Sequence, residues 1–271
     1  TKYMGRVYSS EWFWAKLLHL FRTNSKVKAA AKSAVEHCDW ITSLITGTDS
    51  PEKIKRSRCA AGHKIMWHAE WGGYPPHEFL DKLDPKLSEI RDSLGNETWT
   101  TDVPCGKLTS EWAKKFGLSE ETIVCVGAYD AHIGAVGGDA APGVLVKSIG
   151  TSTCDVIIGE KPTNGEKEQL IDGICGQVDG SVIANYIGYE AGQSAYGDYY
   201  AWLRNLLMWP LKNLEVFAKA GVETGSQIDV EAVEKNLIRV LEMEAEKIEI
   251  CGENPEKYLV ATDWVNGRRT P

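Results

Sequence analysis

The chain has 271 residues, 43% of them apolar, with a formal net charge of −8 and a pI near 5.4. This acidic balance, without a basic run, argues against nucleic acid or a membrane surface as a partner, and no apolar stretch approaches the ~20 residues that span a bilayer. The length predicts roughly two domains. Seven cysteines without a Cys-x-x-Cys pair predict reduced thiols in a cytoplasmic protein, and neither a disulfide framework nor a zinc site.

The first part of the chain is expected to be mostly helical. Four segments carry apolar residues at helical spacing, namely Glu11 to Thr23, Val27 to Cys38, Asp39 to Ile45 and Cys59 to Trp71. Pro75-Pro76 ends this region, because proline cannot continue a helix. The stretch from Pro76 to Leu118 predicts loops and short helices.

An acidic residue follows a β-branched run in the middle of the chain. Thr122 to Val126 predicts a short buried strand, and Ala131 to Val136 predicts a helix of small residues. Asp130 then lies in the first helical turn, where the helix dipole favours the charged carboxylate. Taken alone, such an acid fits an ordinary helix start. Near a phosphate site, it would orient a hydroxyl and accept its proton late in phosphoryl transfer.

Two strand-like runs come next, separated by a short polar tip. Val144 to Ile149 and Thr153 to Ile158 predict a hairpin, with Gly150, Thr151 and Ser152 at its turn. Backbone N–H groups and hydroxyls at such a tip, Thr153 included, can surround a phosphate. The same residues also suit a plain turn. No Gly-x-x-x-x-Gly-Lys-Ser/Thr or Gly-x-Gly-x-x-Gly pattern occurs, which disfavours P-loop ATPases and Rossmann dehydrogenases.

The remaining elements follow a predicted hinge at Gly138 to Gly143. They are a β-like pair around Ile174 and Val182, a long helix over Glu190 to Leu207, an amphipathic helix over Val230 to Ile248 with a capping box at Ser226 to Asp229, and a strand over Tyr258 to Thr262.

Several further segments have the character of a known family. They are Arg6 to Trp12, Asp39-Trp40, Leu44 to Gly47, Cys59 to His68, Gly173 to Gly180, Gly188 to Ala195 and Asp263 to Pro271. With the Asp130 and Gly150 segments, they make the chain resemble the FGGY carbohydrate kinases, and among these the branch that acts on L-ribulose. The resemblance spans nearly the whole chain. Family members begin with a Gly-x-Asp-x-Gly-Thr phosphate loop and continue past Pro271, so we expect an internal fragment of a longer kinase.

This resemblance implies a two-domain α/β architecture of the ribonuclease H-like, actin-like ATPase fold, present in part. Residues 1–138 would be the later part of the N-terminal, sugar-binding domain. Residues 139–271 would be the first part of the C-terminal, nucleotide-binding domain, with the active site between the lobes. The implied reaction is ATP-dependent phosphorylation of L-ribulose to L-ribulose 5-phosphate, a step of arabinose catabolism, with Mg²⁺ as the metal.

The resemblance also implies roles for individual residues. Asp130 would accept the proton of the sugar hydroxyl, while Gly150, Thr151, Ser152 and Thr153 would surround the β and γ phosphates of ATP. Lys64 and Glu190 would hold the sugar. From spacing alone, Lys64 would extend to solvent from an apolar helix, and Glu190 would be an ordinary acid at a helix start.

Three alternatives stay open at this point. The chain could act on another polyol, such as xylulose or glycerol, could be a non-catalytic sugar-binding fragment, or could be an Asp-dependent hydrolase using Asp130 and His132. His63, His68 and His132 have no ligand-like spacing with one another or with an acid pair, so no metal-ligating residue is predicted. We expect a small sugar as the partner and leave a homodimer open.

Overall fold

The computed structural model describes residues 2, 4–6, 8–163, 168–220 and 228–247. These residues form two units. The first unit holds the described residues up to Ser148 together with Cys154–Gly192, and the second holds Ile149–Thr153 and the described residues from Gln193 onward. The two predicted family domains, 1–138 and 139–271, are a different division and stay a prediction.

Helices are the more abundant regular element in both units. Those of the described residues are α1 (Phe13–Thr23), α2 (Ser25–Ala30), α3 (His37–Thr46), α4 (Arg58–Lys64), α5 (His77–Leu83), α6 (Pro85–Asp92), α7 (Ser110–Phe116), α8 (Asp130–Gly137), α9 (Tyr196–Lys212), α10 (Leu214–Lys219) and α11 (Val230–Ala245). None of them combines the length and the apolar character that crossing a membrane requires.

The strands of the described residues form two sheets. They are β1 (Pro104–Lys107), β2 (Ile123–Cys125), β3 (Leu145–Ile149), β4 (Thr153–Gly159), β5 (Gly176–Asp179) and β6 (Ile187–Ala191). Strands β1 and β2 pair antiparallel, and the larger sheet has the order β3-β4-β6-β5. Strand β6 is therefore internal and pairs antiparallel with both β4 and β5.

Helix α4 packs unusually close to strand β5. A Cβ atom built on Gly62 would lie 2.4 Å from Cγ1 of Val178, so only glycine allows this approach. The Ser57 hydroxyl caps the helix by accepting a hydrogen bond from the Ala60 N–H. At its other end Met66 has a left-handed φ of 61°, which stops the helix. The side chains at the end of α4 are thereby held against the larger sheet.

Two helices of the first unit are shorter than the sequence pattern suggests. The segment Cys59 to Trp71 is helical only up to Lys64, because of the turn at Met66. The segment Val27 to Cys38 is interrupted after Ala30. There the buried Arg56 guanidinium donates a hydrogen bond to the Ala34 carbonyl at 3.0 Å, a tertiary contact that replaces helical bonding.

The strand predictions have mixed outcomes. The hairpin strands over 144–149 and 153–158 are confirmed as β3 and β4. The strand before Asp130 is present, but the prediction that it is buried is wrong, since Ile123 is 59% exposed on a two-stranded sheet. The partner of β5 is β6 and not a strand around Val182. The predicted strand over 258–262 and Ser226 of the predicted capping box lie outside the described residues. Asp229, the last residue of that box, is itself the N-cap of α11.

Candidate functional site

Lys64 and Glu190 form a buried ion pair in the first unit. Lys64 is the last residue of α4, and its Nζ lies 2.6 Å from Oε1 of Glu190 on β6. The side chains are only 15% and 5% exposed. The expectation from spacing that Lys64 extends to solvent is therefore wrong. The predicted helix from Glu190 is also wrong at its start, because β6 pairs with β5 through Glu190 and with β4 through Ala191, and α9 begins at Tyr196.

The pair sets the charge of the site. Burial alone would raise the pKa of Glu190, but Lys64, His63 and His132 together outweigh it and bring the pKa down to about 2. Lys64 also lies over two aromatic rings, with its Nζ 4.9 Å from the ring centroid of Trp12 and 5.7 Å from that of Tyr129. A fixed carboxylate and a fixed ammonium thus offer several hydrogen-bond acceptors and donors at one place.

Two buried histidines flank the other carboxylate oxygen of Glu190. His63 Nδ1 lies 3.3 Å from Oε2, and His132 Nε2 lies 3.5 Å from the same atom. The sequence spacing of these histidines gave no indication of this cluster, and the prediction that no residue ligates a metal stays untested. The fold brings α4, α8 and β6 together, and spacing along the chain cannot show this. His68 is not in the cluster, and its Nε2 lies 3.8 Å from Oε2 of Glu168.

Asp130 is the first residue of α8, as predicted, and it is exposed. Its Oδ1 accepts a hydrogen bond from the Ala131 N–H at 2.8 Å. His132, which touches Glu190, follows two residues later in the same helical turn. Helix α8 therefore places an accessible carboxylate within about one turn of the Lys64–Glu190 pair.

A cleft of about 430 Å³ opens beside Lys64. Its wall includes Trp12, Glu36 and Tyr129. The sequence offered no specific signal for Trp12, whose aromatic neighbours suggested core packing. Tyr129 could have been found from its position next to Asp130. The cleft combines aromatic faces with charged groups, as sites for small polar ligands do.

The hairpin tip is described within the second unit. The N–H of Gly150 donates to the Ser152 carbonyl at 2.9 Å, and the N–H of Gly197 in α9 lies 3.1 Å from the Gly150 carbonyl. Thr153 is buried, and its hydroxyl accepts from the Gln193 N–H at 2.9 Å. Gly150 and Thr151 are exposed. A Cβ atom on Gly150 would meet only the Ser152 carbonyl, at 3.8 Å, so the chain's own packing does not require glycine there.

Curated proteins give close matches over the whole chain. A ribulokinase of Vibrio parahaemolyticus is 45% identical over 271 residues, which are 100% of this chain and 46% of that protein. A ribulokinase of Halalkalibacterium halodurans is 36% identical over 272 residues, covering 99% of this chain and 43% of that protein. The chain thus spans less than half the length of these relatives. No protein-family model matches the chain.

Solved structures of sugar kinases share the fold. The xylulose kinase of Rhodospirillum rubrum superposes with a TM-score of 0.56 at 19% identity, covering 78% of this chain and 40% of that one. The xylulose kinase of Bifidobacterium adolescentis gives 0.54 at 13% identity, covering 73% and 40%. These likenesses confirm the predicted fold class. Over its whole length the chain is therefore homologous to a part of the ribulokinases, and it carries part of the actin-like ATPase fold of the FGGY sugar kinases.

Proposed function

We propose that this chain supplies the sugar site and the catalytic base of a kinase that transfers the γ-phosphoryl group of ATP to L-ribulose, forming L-ribulose 5-phosphate. One observation carries the proposal. The buried Lys64–Glu190 pair lies beside the helix start that presents Asp130 to solvent. The ribulokinase relatives support the choice of L-ribulose over xylulose, because the likeness to xylulose kinases reaches only the fold.

The sugar-binding role rests on the chemistry of the pair. A lysine ammonium carries three hydrogen-bond donors and a carboxylate only acceptors. Together they can bind a sugar hydroxyl either as an acceptor or as a donor. Trp12 and Tyr129 add aromatic faces in the adjoining cleft. The cleft volume of about 430 Å³ lies in the range typical of small-molecule sites.

Asp130 is proposed as the general base. Its carboxylate is accessible at the N-terminus of α8, where the helix dipole stabilises negative charge. It would orient the primary hydroxyl of the sugar and take its proton as the bond to phosphorus forms. A positioned base of this kind contributes about 10²–10⁴-fold in rate. Most of the remaining acceleration would come from alignment of the two substrates.

ATP and Mg²⁺ are proposed at the hairpin tip. The open space at Gly150 and the exposed Thr151 fit the approach of a phosphate group. Thr153 fits less well, because its hydroxyl already accepts a hydrogen bond from Gln193. We therefore assign the phosphate contacts to Gly150, Thr151 and Ser152 first. Bound Mg²⁺ would offset the charge on the transferring phosphate. A homodimer and a cytoplasmic location stay predictions.

The test compares Asp130→Asn with a matched control, Asp139→Asn, in the same helix region. Asp139 is exposed just after α8, and its left-handed φ of 57° suits asparagine. Phosphorylation of L-ribulose, D-xylulose and glycerol is measured with ATP, and L-ribulose binding by calorimetry. We expect Asp130→Asn to lower turnover about 10²–10⁴-fold with sugar affinity retained, and Asp139→Asn to behave as the parent. Near-normal turnover by Asp130→Asn would exclude the proposed base, and preference for D-xylulose would exclude the proposed substrate.

A further inference from the structure

Three buried side chains from three different elements converge on one point of the first unit. They are His63 at the end of α4, His132 in α8 and Glu190 in β6, with residue exposures of 0%, 1% and 4%. One nitrogen or oxygen from each lies within 4.8 Å of the others. The proposed sugar contact uses Oε1 of Glu190, which faces Lys64, and leaves Oε2 to the histidines.

The polar atoms that meet there have no hydrogen-bond partner among the described residues. They are Nδ1 of His63, Nε2 of His132 and Oε2 of Glu190, and the other ring nitrogen of His132 is also unpartnered. The separations of 3.3 and 3.5 Å from Oε2 to the two rings exceed the usual 2.7–3.2 Å of an N–H···O bond. Buried polar atoms are almost always satisfied, so three unpartnered atoms at one point indicate a bound ligand.

Hydrogen bonding behind His63 selects the tautomer of its ring. The Ser181 hydroxyl lies 3.1 Å from the Val178 carbonyl and 3.0 Å from His63 Nε2. A hydroxyl has one proton, and donating it to the carbonyl leaves its oxygen to accept from Nε2–H. His63 Nδ1 then directs a lone pair toward the carboxylate, and two acceptors 3.3 Å apart repel each other unless a proton or a metal ion lies between them. Histidines that bind a metal through one ring nitrogen usually donate the N–H of the other to an acceptor in this way.

We propose that His63, His132 and Glu190 bind one divalent transition-metal ion, with Zn²⁺ the best match to the ligands. Two imidazoles and one carboxylate are a common zinc set, whereas Mg²⁺ and Ca²⁺ prefer oxygen alone. Bonds of 2.0–2.1 Å in a tetrahedron place neighbouring ligand atoms about 3.3 Å apart. The observed 3.3 and 3.5 Å agree with that spacing.

The protonation states of the three groups support metal binding. Burial lowers the pKa of His63 well below its usual range, with His132 beside it adding to the effect, and burial likewise lowers the pKa of His132. Both rings are then neutral at pH 7 and have lone pairs to give. The ion would hold Oε2 of Glu190 and leave Oε1 facing Lys64. The metal would therefore be a structural support of the proposed sugar contact.

The test measures metal content directly and needs neither sugar nor ATP. The chain is unfolded with a chelator, refolded with Zn²⁺ or Co²⁺, dialysed and assayed by mass spectrometry for metal per chain. Circular dichroism checks folding. The variants are His132→Asn and Glu190→Gln, and the matched control is His77→Asn, an exposed histidine paired with Asp92.

We expect one metal ion per chain in the parent and in His77→Asn, and at least a tenfold lower content in both ligand variants. Co²⁺ in the parent should also show the strong visible absorption of tetrahedral coordination. A parent that retains less than about 0.1 metal ion per chain after loading would overturn the proposal. So would a folded His132→Asn or Glu190→Gln chain that retains the full metal content. Either result would leave the proposed kinase activity untouched.

Discussion

Removing the ammonium of Lys64 should strongly destabilise the first unit. In Lys64→Met the methionine keeps most of the side-chain volume, but the Glu190 carboxylate loses its partner at 2.6 Å. That carboxylate is 95% buried as a side chain, since only 5% is exposed. An unpaired charge at such a place costs far more than a lost surface contact.

The size of the effect follows from the electrostatics of the pair. The net drop of the Glu190 pKa from 4.5 to about 2 corresponds to about 3 kcal/mol, to which Lys64 is the largest favourable contributor and His63 and His132 also contribute. Breaking a buried ion pair by removing one member typically costs 3–5 kcal/mol. We therefore expect Lys64→Met to lower the free energy of unfolding by about 3 kcal/mol. Glu190→Gln should cost less, about 1–2 kcal/mol, because Lys64 borders a cleft and can turn toward water.

The assay is urea unfolding followed by tryptophan fluorescence, since Trp12 lies against the Lys64 ammonium. A double-mutant cycle with Lys64→Met and Glu190→Gln isolates the pair, and we expect a coupling energy of about 2 kcal/mol. Lys82→Met is the control, because Lys82 and its partner Glu78 are 71% and 83% exposed. A coupling energy below about 0.5 kcal/mol would refute the view that this pair is energetically important.

Three further predictions concern backbone packing and pH. Gly62→Ala should lower the unfolding free energy by about 1–3 kcal/mol, because its Cβ would meet a β5 side chain at 2.4 Å. Gly197→Ala should raise the KM for ATP several-fold and spare sugar binding, since its Cβ would lie 2.2 Å from the Gly150 carbonyl oxygen. Burial raises the pKa of Asp39 to about 6, so the folded state keeps a proton that the unfolded chain loses near pH 4, and stability should fall by up to about 3 kcal/mol as pH rises from 4 through 6. Asp39→Asn should flatten this dependence.

Each of these has a control or a contradicting result. Gly137→Ala, with nothing within 4 Å of the new Cβ, should be neutral or stabilising, and thermal unfolding compares it with Gly62→Ala. If Gly197→Ala binds and uses ATP normally, displacing the hairpin tip at Gly150 does not affect the ATP site, which contradicts the prediction. If the urea midpoints of the parent and Asp39→Asn change equally between pH 4.5 and 7.5, Asp39 is not the group responsible.

Local signals predicted the elements that carry the proposed chemistry. Asp130 lies at the start of α8, and β3 and β4 form the hairpin around Gly150, because β-branched runs, glycines and small helical residues encode these turns within a few positions. The family resemblance added Lys64 and Glu190 as sugar contacts, and their roles stay predictions. The structure brings these two together, which spacing along the chain could not show.

At other positions, long-range contacts determine the structure and the local sequence pattern did not predict it. Glu190 has the sequence context of a helix start, yet β6 is held on both sides by neighbouring strands. This tertiary pairing overrides the local preference. His63 and His132 are 69 positions apart in sequence, and only the packing of α4 and α8 near β6 brings them to one carboxylate. Clusters of this kind leave no periodic trace in a single sequence.

The ion pair of Lys64 and Glu190 joins residues 126 positions apart. This separation determines how early during translation the pair can form. At about 5–20 residues per second, translation needs roughly 6–25 s to produce the acid after the lysine. During that interval the nascent helix must keep its ammonium hydrated. The lysine can therefore become enclosed only after β6 has emerged, so this region is completed at least that long after the lysine is made.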